Sequence, residues 1–334
     1  MSEVAFPASI AQAAARLRAG ELTCVALTEH CLARIGVLQP TLNAFITVTG
    51  DPALAAARER DAELASGRDR GPLHGIPIVH KDCYDTAGTL TTVGAEVFRA
   101  RVPQSDATIV QRLRAAGAVL LGKTQMNEFA AGMSGKNPFF GDAHNPWDTK
   151  RAPGGSSSGS ACAIAARLCL GASGTDGGGS IRLPAAWTGI VGLRPTFGRV
   201  SKAGAYPRSF SFDCAGPLAA SVGDAALLLE VMAGHDVRDR QSLPDSVPGY
   251  VPTPGDLRGL RLGIVQDFSL RNVDDEVARA LRGALGVLTG LGAKLHDVGV
   301  PAQDAGADDR VIAISQEMSS FVSMIGYEII PIET

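Results

Sequence analysis

The sequence predicts an α/β chain in which helices cover both faces of a central mixed, mostly parallel sheet. Short apolar runs alternate with helix-patterned stretches from residue 9 to residue 233, the succession that a helix-covered sheet produces. The composition, 45% hydrophobic and 19% charged over 334 residues, is sufficient to bury a large core.

Taken in order, residues 9–18 form the first predicted helix, stopped by Gly20, and residues 23–38 the second, opened by Thr23 as its cap. Strand candidates follow at 44–48, 76–81, 118–122, 170–174 and 260–265, with helical patterns at 52–65, 106–116, 158–168 and 222–233. The proline-rich stretch 244–254 is expected to be a loop, and residues 257–301 read as strand, helix, strand. A single domain over residues 1–334 is the expectation.

Two glycine-flanked serine clusters carry the chemical signal: Gly154-Gly155-Ser156-Ser157-Ser158-Gly159 and Gly174-Thr175-Asp176-Gly177-Gly178-Gly179-Ser180-Ile181-Arg182. Backbone N–H groups unobstructed by side chains can converge on a developing negative charge, so Ser180 is a candidate nucleophile beside its own oxyanion hole. Taken alone, either cluster reads as a flexible linker. The apolar stretches that directly follow both, Ala161-Cys162-Ala163-Ile164 and Leu183-Pro184-Ala185-Ala186-Trp187, have core composition and argue against that.

A serine hydroxyl needs a base. Lys81 ends the apolar run Ile76-Pro77-Ile78-Val79-His80, and burial there would lower its pKa. The chain has 25 Arg and only six Lys, none of them before Lys81. Arginine supplies most of the positive charge but cannot deprotonate in a protein, so this usage favours Lys81 as the base.

Together, Gly71-Pro72-Leu73-His74-Gly75-Ile76-Pro77 with Lys81-Asp82, Gly122-Lys123-Thr124 with Asn127-Glu128-Phe129, Asn145-Pro146-Trp147-Asp148, the two serine clusters, and Gly192-Leu193-Arg194-Pro195-Thr196-Phe197-Gly198-Arg199-Val200-Ser201 resemble the amidase signature family of serine hydrolases. The resemblance, strongest over about residues 71–204, implies the α/β/α sandwich of that family. It also implies hydrolysis of a carboxylic amide through an acyl-enzyme. By position it makes Lys81 the base, Ser156 a serine preceded by a cis peptide bond and Ser180 the nucleophile. The amides of Gly177, Gly178, Gly179 and Ser180 become the oxyanion hole. Residues 129–134, with Ala130, Met133 and Ser134 among them, are placed near the acyl group. Asp176 and Arg182 are read as a brace for the nucleophile loop, and Ser157 as structural support. Many members of the family carry a threonine or isoleucine where this chain has Gly177, and a second glycine where it has Ser158. The extra glycine at 177 is expected to loosen the oxyanion loop.

Competing motifs are weaker. Residues 117–124 fit the letters of a nucleotide-binding loop, yet Ala118 to Leu121 are apolar and read as a strand. Gly155-Ser156-Ser157-Ser158-Gly159 fits a nucleophile elbow, which would make Ser157 the nucleophile of an esterase with His235 or His296 as partner. A cysteine amidase built on Cys83 would leave the serine loops without a role. The net charge of −3 gives no reason to expect nucleic acid or an anionic membrane as a partner. No metal-ligand spacing stands out, and neither a metal nor a cofactor is expected. The six cysteines, with no Cys-x-x-Cys pair, read as reduced core thiols, and no signal segment or bilayer-length apolar run is present, so the cytoplasm is the expected location.

The family usually continues well past residue 334. The last sixteen residues, 319–334, contain no Ala, Lys or Arg and four Ile, and are expected to be a tail outside the family pattern. Two classes of function follow: an amidohydrolase acting on a small-molecule amide, or a shortened, inactive relative or subunit working with amidotransferase partner chains. A homodimer is also compatible with the resemblance.

Overall fold

A computed structural model describes residues 6–251, 255–265 and 273–299. The chain divides into two compact units, one of residues up to 251 and one that begins at 252. Residues 319–334, set apart above by composition, lie outside the described residues.

The first unit opens with α1 (Ile10–Arg18) and α2 (Cys24–Leu42). Ser9 Oγ accepts the Gln12 N–H and Thr23 Oγ1 accepts the Ala26 N–H, each satisfying a donor that the first helical turn leaves open. α2 runs four residues beyond its expected end, through Pro40, and stops where Asn43 takes a left-handed conformation. Then follow β1 (Phe45–Val48), α3 (Gly50–Ala65), β2 (Pro77–Lys81), α4 (Thr108–Ala115), β3 (Val119–Thr124), α5 (Ser158–Ala165), β4 (Gly171–Asp176), α6 (Arg182–Thr188), β5 (Val191–Gly192), β6 (Cys214–Ala219) and α7 (Val222–Met232).

These strands form one sheet in the order β1-β3-β2-β4-β6-β5. β2 lies parallel between β3 and β4, while β1 on β3, β6 on β4 and β5 on β6 are antiparallel. The sheet is mixed and helix-flanked as expected, but parallel pairing is confined to β3, β2 and β4. Helices cover both faces. At Gly171 of β4 a side chain would meet Leu228 of α7, and at Gly174, on the opposite face, it would meet Ser157 at the start of α5. All five residues of β2 and all six of β4 are buried, which explains why both read as continuous apolar or small-residue runs.

Sequence patterning does not anticipate β6. Its Gly216 and Pro217 depress strand propensity, and a six-residue ladder with β4 overrides them. All six cysteines are free and buried. Burial pushes the Cys31 thiol up to about 12 and Cys83 to about 11, and it raises the other four as well. Thiols so raised stay protonated.

In the second unit β7 (Arg261–Ile264) and β8 (Lys294–Asp297) pair in parallel and are joined by α8 (Asp275–Gly290). This is the strand, helix, strand order expected for residues 257–301, with 266–272 and 300–301 outside the described residues.

Candidate active site

Lys81 is the last residue of β2 and is fully buried. Its Nζ donates to Ser156 Oγ at 2.8 Å and to Thr175 Oγ1 at 2.7 Å. Burial lowers its pKa to about 8; the nearby Cys83, Asp213 and Asp176 oppose the shift and the Arg208 charge adds to it. Among the described residues no carboxylate stands within ion-pair distance of this amine. The structure therefore supplies a lysine whose pKa is lowered by burial and whose amine donates to a serine hydroxyl.

Ser156 follows a cis Gly155–Ser156 peptide bond and is fully buried. Glycine at 155 is required by close approach. A Cβ there would lie 2.2 Å from Asn127 Oδ1 and 3.1 Å from the Gly135 nitrogen. Asn127 itself is held by the Lys136 carbonyl, which accepts from Nδ2, and by the Gly135 N–H, which donates to Oδ1. The same packing brings the backbone of Met133 to Gly135 against Gly155, beside Ser156. Phe129 and Ala130 are buried in a 3₁₀ turn (Glu128–Ala130), both with positive φ, whereas the Met133 side chain is 66% exposed. Ser134 Oγ accepts the Lys136 N–H.

Ser180 ends the glycine loop that leaves β4, just ahead of α6, and is 5% exposed. Its carbonyl accepts the Ser157 N–H at 3.2 Å, which ties the nucleophile candidate to the segment carrying Ser156. Asp176, at the end of β4, organises the loop. Its Oδ1 accepts from Gly179 N–H at 2.8 Å and Arg182 Nη2 at 3.0 Å, and its Oδ2 accepts from Arg182 Nε at 2.9 Å and the Ile181 N–H at 3.2 Å. Burial disfavours its charge, but the Arg182 hydrogen bonds and charge and the backbone donors outweigh burial and hold the carboxyl below the usual carboxylate range. Asp176 and Arg182 are thus paired by two hydrogen bonds at the loop. Within the expected oxyanion loop the Gly179 N–H donates to Asp176.

Gly177 is explained differently from the expected loosening. A Cβ there would lie 2.6 Å from Asp213 Oδ1 and 3.2 Å from Arg208 Nη1. Glycine makes room for these two side chains beside the loop. Ser158, at the other position noted above, has a buried Oγ without a hydrogen-bond partner.

Thr175 is the site residue that sequence reasoning missed. Its only sequence signal is its place immediately before Asp176, where strand geometry turns it to the lysine on the neighbouring strand. The residues of the competing motifs are either engaged in other contacts or exposed. Lys123, the lysine of the apparent nucleotide loop, is buried at the end of β3 and donates to the Tyr84 carbonyl and Thr91 Oγ1 beside Asp82. Ser157 is fully buried and donates from Oγ to the Thr175 carbonyl at 3.4 Å, while His235 is exposed. His296 lies exposed on β8 of the second unit. Among the described residues no group of side chains could hold a metal ion, and no helix is long and apolar enough to cross a membrane.

The family model described as Amidase matches residues 26–329. The chain is 49% identical over 294 residues to a protein of Chloroflexus aurantiacus named as a subunit of glutamyl-tRNA(Gln) amidotransferase, covering 88% of this chain and 60% of that protein. It is 46% identical to the protein of the same name from Halorhodospira halophila, covering 93% and 64%. It therefore spans about three fifths of the length of these relatives. Among solved structures, the native peptide amidase of Stenotrophomonas maltophilia superposes with a TM-score of 0.86 at 39% identity, covering 96% of this chain and 69% of that one. The corresponding glutamyl-tRNA(Gln) amidotransferase chain of Thermotoga maritima superposes at 0.79 with 30% identity, covering 90% and 66%. Sequence and fold agree, and the chain belongs to the amidase family.

Proposed function

We propose that the chain carries the catalytic centre of an amidohydrolase that cleaves a carboxylic amide through an acyl-enzyme on Ser180. The observation that carries this reading is the hydrogen bond from the fully buried Lys81 amine to Ser156 Oγ at 2.8 Å, beside a loop that presents Ser180 and spare backbone amides. Ser180 Oγ attacks the amide carbonyl carbon as its proton passes to Ser156, whose own proton passes to neutral Lys81. The amides of Gly177, Gly178 and Ser180 meet the oxyanion. Collapse breaks the C–N bond, the proton returns through Ser156 to the departing nitrogen, and water then releases the acid by the same relay.

Fluorophosphonate labelling followed by peptide mapping tests the assignment together with a general amide assay. Labelling at Ser180 that disappears in Ser180→Ala, with the circular dichroism spectrum retained, is the expected result. Labelling at Ser157, or undiminished labelling of the variant, would overturn it. A second reading is favoured by the 49% identity to a protein named as part of an amidotransferase: the chain acts as the amide-cleaving part of an assembly. Under that reading the label still maps to Ser180, but turnover rises when partner chains are supplied.

A further inference from the structure

Arg208 stands against the nucleophile loop without a hydrogen-bond or ion-pair partner for its guanidinium among the described residues, the Asp213 and Asp176 carboxylates acting on it only through their charge. Its Nη1 comes within 3.2 Å of the point a Gly177 Cβ would occupy. Its Nε is buried and makes no hydrogen bond. Among the described residues its side chain donates no hydrogen bond and has no carboxylate within ion-pair distance. Arg208 is half-buried, and its Nε is the donor that lies buried without a partner, a situation rare in folded proteins.

The backbone that carries this side chain is nevertheless held in place. Asp213 Oδ2 accepts the backbone N–H groups of Arg208 and Ser209 at 2.7 and 2.8 Å, and the Asp213 N–H donates to the Ser209 carbonyl, closing a tight loop over 208–213. Arg194 fastens that loop to β4. Its Nη2 donates to the Phe212 carbonyl at 2.9 Å and its Nε to the Asp176 carbonyl at 3.2 Å. The guanidinium is thus carried on a fastened backbone beside an oxyanion-loop residue, and its planar donor fork, unmatched among the described residues, is of a kind suited to bidentate capture of a carboxylate.

We infer that Arg208 determines specificity by binding a carboxylate of the substrate, so that the preferred substrate is an amide that also bears a carboxyl group, such as the monoamide of a short dicarboxylic acid. This rests on reading Ser180 as the nucleophile. Gly177 serves the same end, because any side chain there would press on Arg208 and Asp213.

The test compares kcat/KM for malonamate, succinamate and glutaramate with that for the uncharged propionamide, butyramide and valeramide. The wild-type chain prefers the best charged member over its neutral counterpart by about 100-fold, the discrimination expected when a charged, bidentate contact is made or missed. Arg208→Gln collapses this ratio to below about fivefold, and Arg208→Lys restores part of it. A ratio unchanged in Arg208→Gln, or equal losses on charged and neutral amides, overturns the inference. A second arm does not depend on turnover: in Ser180→Ala, malonate, succinate or glutarate raises the melting temperature, and adding Arg208→Gln abolishes the rise. If none of the three diacids stabilises the Ser180→Ala chain, the inference fails. Absence of fluorophosphonate labelling in the wild type instead defeats the reading of Ser180 and is recognised separately.

Discussion

Lys81 offers the sharpest quantitative test, because the mechanism requires its neutral form and the fold determines how much of that form exists. With burial bringing its pKa to about 8, about a tenth of the amine is neutral at pH 7, against roughly one part in three thousand for a lysine at the ordinary value. The lowered pKa places the charged form below pH 8, so the reactive fraction grows as pH rises. The second-order rate of fluorophosphonate labelling at Ser180 should therefore climb about fifty-fold between pH 6 and pH 8 and level off above pH 9. Lys81→Arg keeps the charge but cannot give it up, and its labelling should fall by about a thousandfold or more at every pH. Following the labelled fraction from pH 5.5 to 9.5, with circular dichroism to confirm the fold, decides the matter. A profile flat between pH 6 and 8, or a Lys81→Arg rate within tenfold of wild type, would refute the role of Lys81 as base and reduce it to a structural residue.

The proton-carrying role of Ser156 predicts that Ser156→Ala lowers the labelling rate by about 10²–10⁴-fold, less than Ser180→Ala, and a loss under tenfold would exclude the relay. Thr175→Val removes an acceptor from the Lys81 ammonium and so disfavours its charged form; the alkaline limb should move to lower pH while the plateau rate falls about tenfold, and an unmoved limb would show that the contact is incidental. Asp176→Asn keeps the shape of the brace but loses its charge. Urea unfolding should show a loss of about 2 kcal/mol, and kcat should fall more than KM changes, since the loop rather than substrate affinity is disturbed.

Much of the site was legible because its residues sit in backbone environments that tolerate few alternatives. Gly155 has Asn127 against it, Asp176 collects donors from its own loop, and Lys81 closes an apolar strand. These local demands leave marks in the sequence. Thr175 and Arg208 were not legible. Each acquires its meaning from residues distant in the chain: Thr175 from a lysine 94 residues earlier, Arg208 from the Gly177 loop it stands against. The same holds for β6, whose Gly216 and Pro217 argue against a strand until the β4 ladder is in place. The Gly179 amide is a further case: Asp176 read as a partner for Arg182 alone also accepts the Gly179 N–H, a contact within the loop that residue types do not announce.

The six buried thiols turn the first unit into its own monitor of breathing. They are distributed over α2 (Cys24, Cys31), the turn after β2 (Cys83), α5 (Cys162), the approach to β4 (Cys169) and the start of β6 (Cys214). A buried, protonated thiol is invisible to an alkylating reagent until its surroundings part and the thiolate forms. The order in which the six react would chart which parts of the sheet and its helical cover separate first, and Cys83, two residues from Lys81, would report when the catalytic strand itself comes loose.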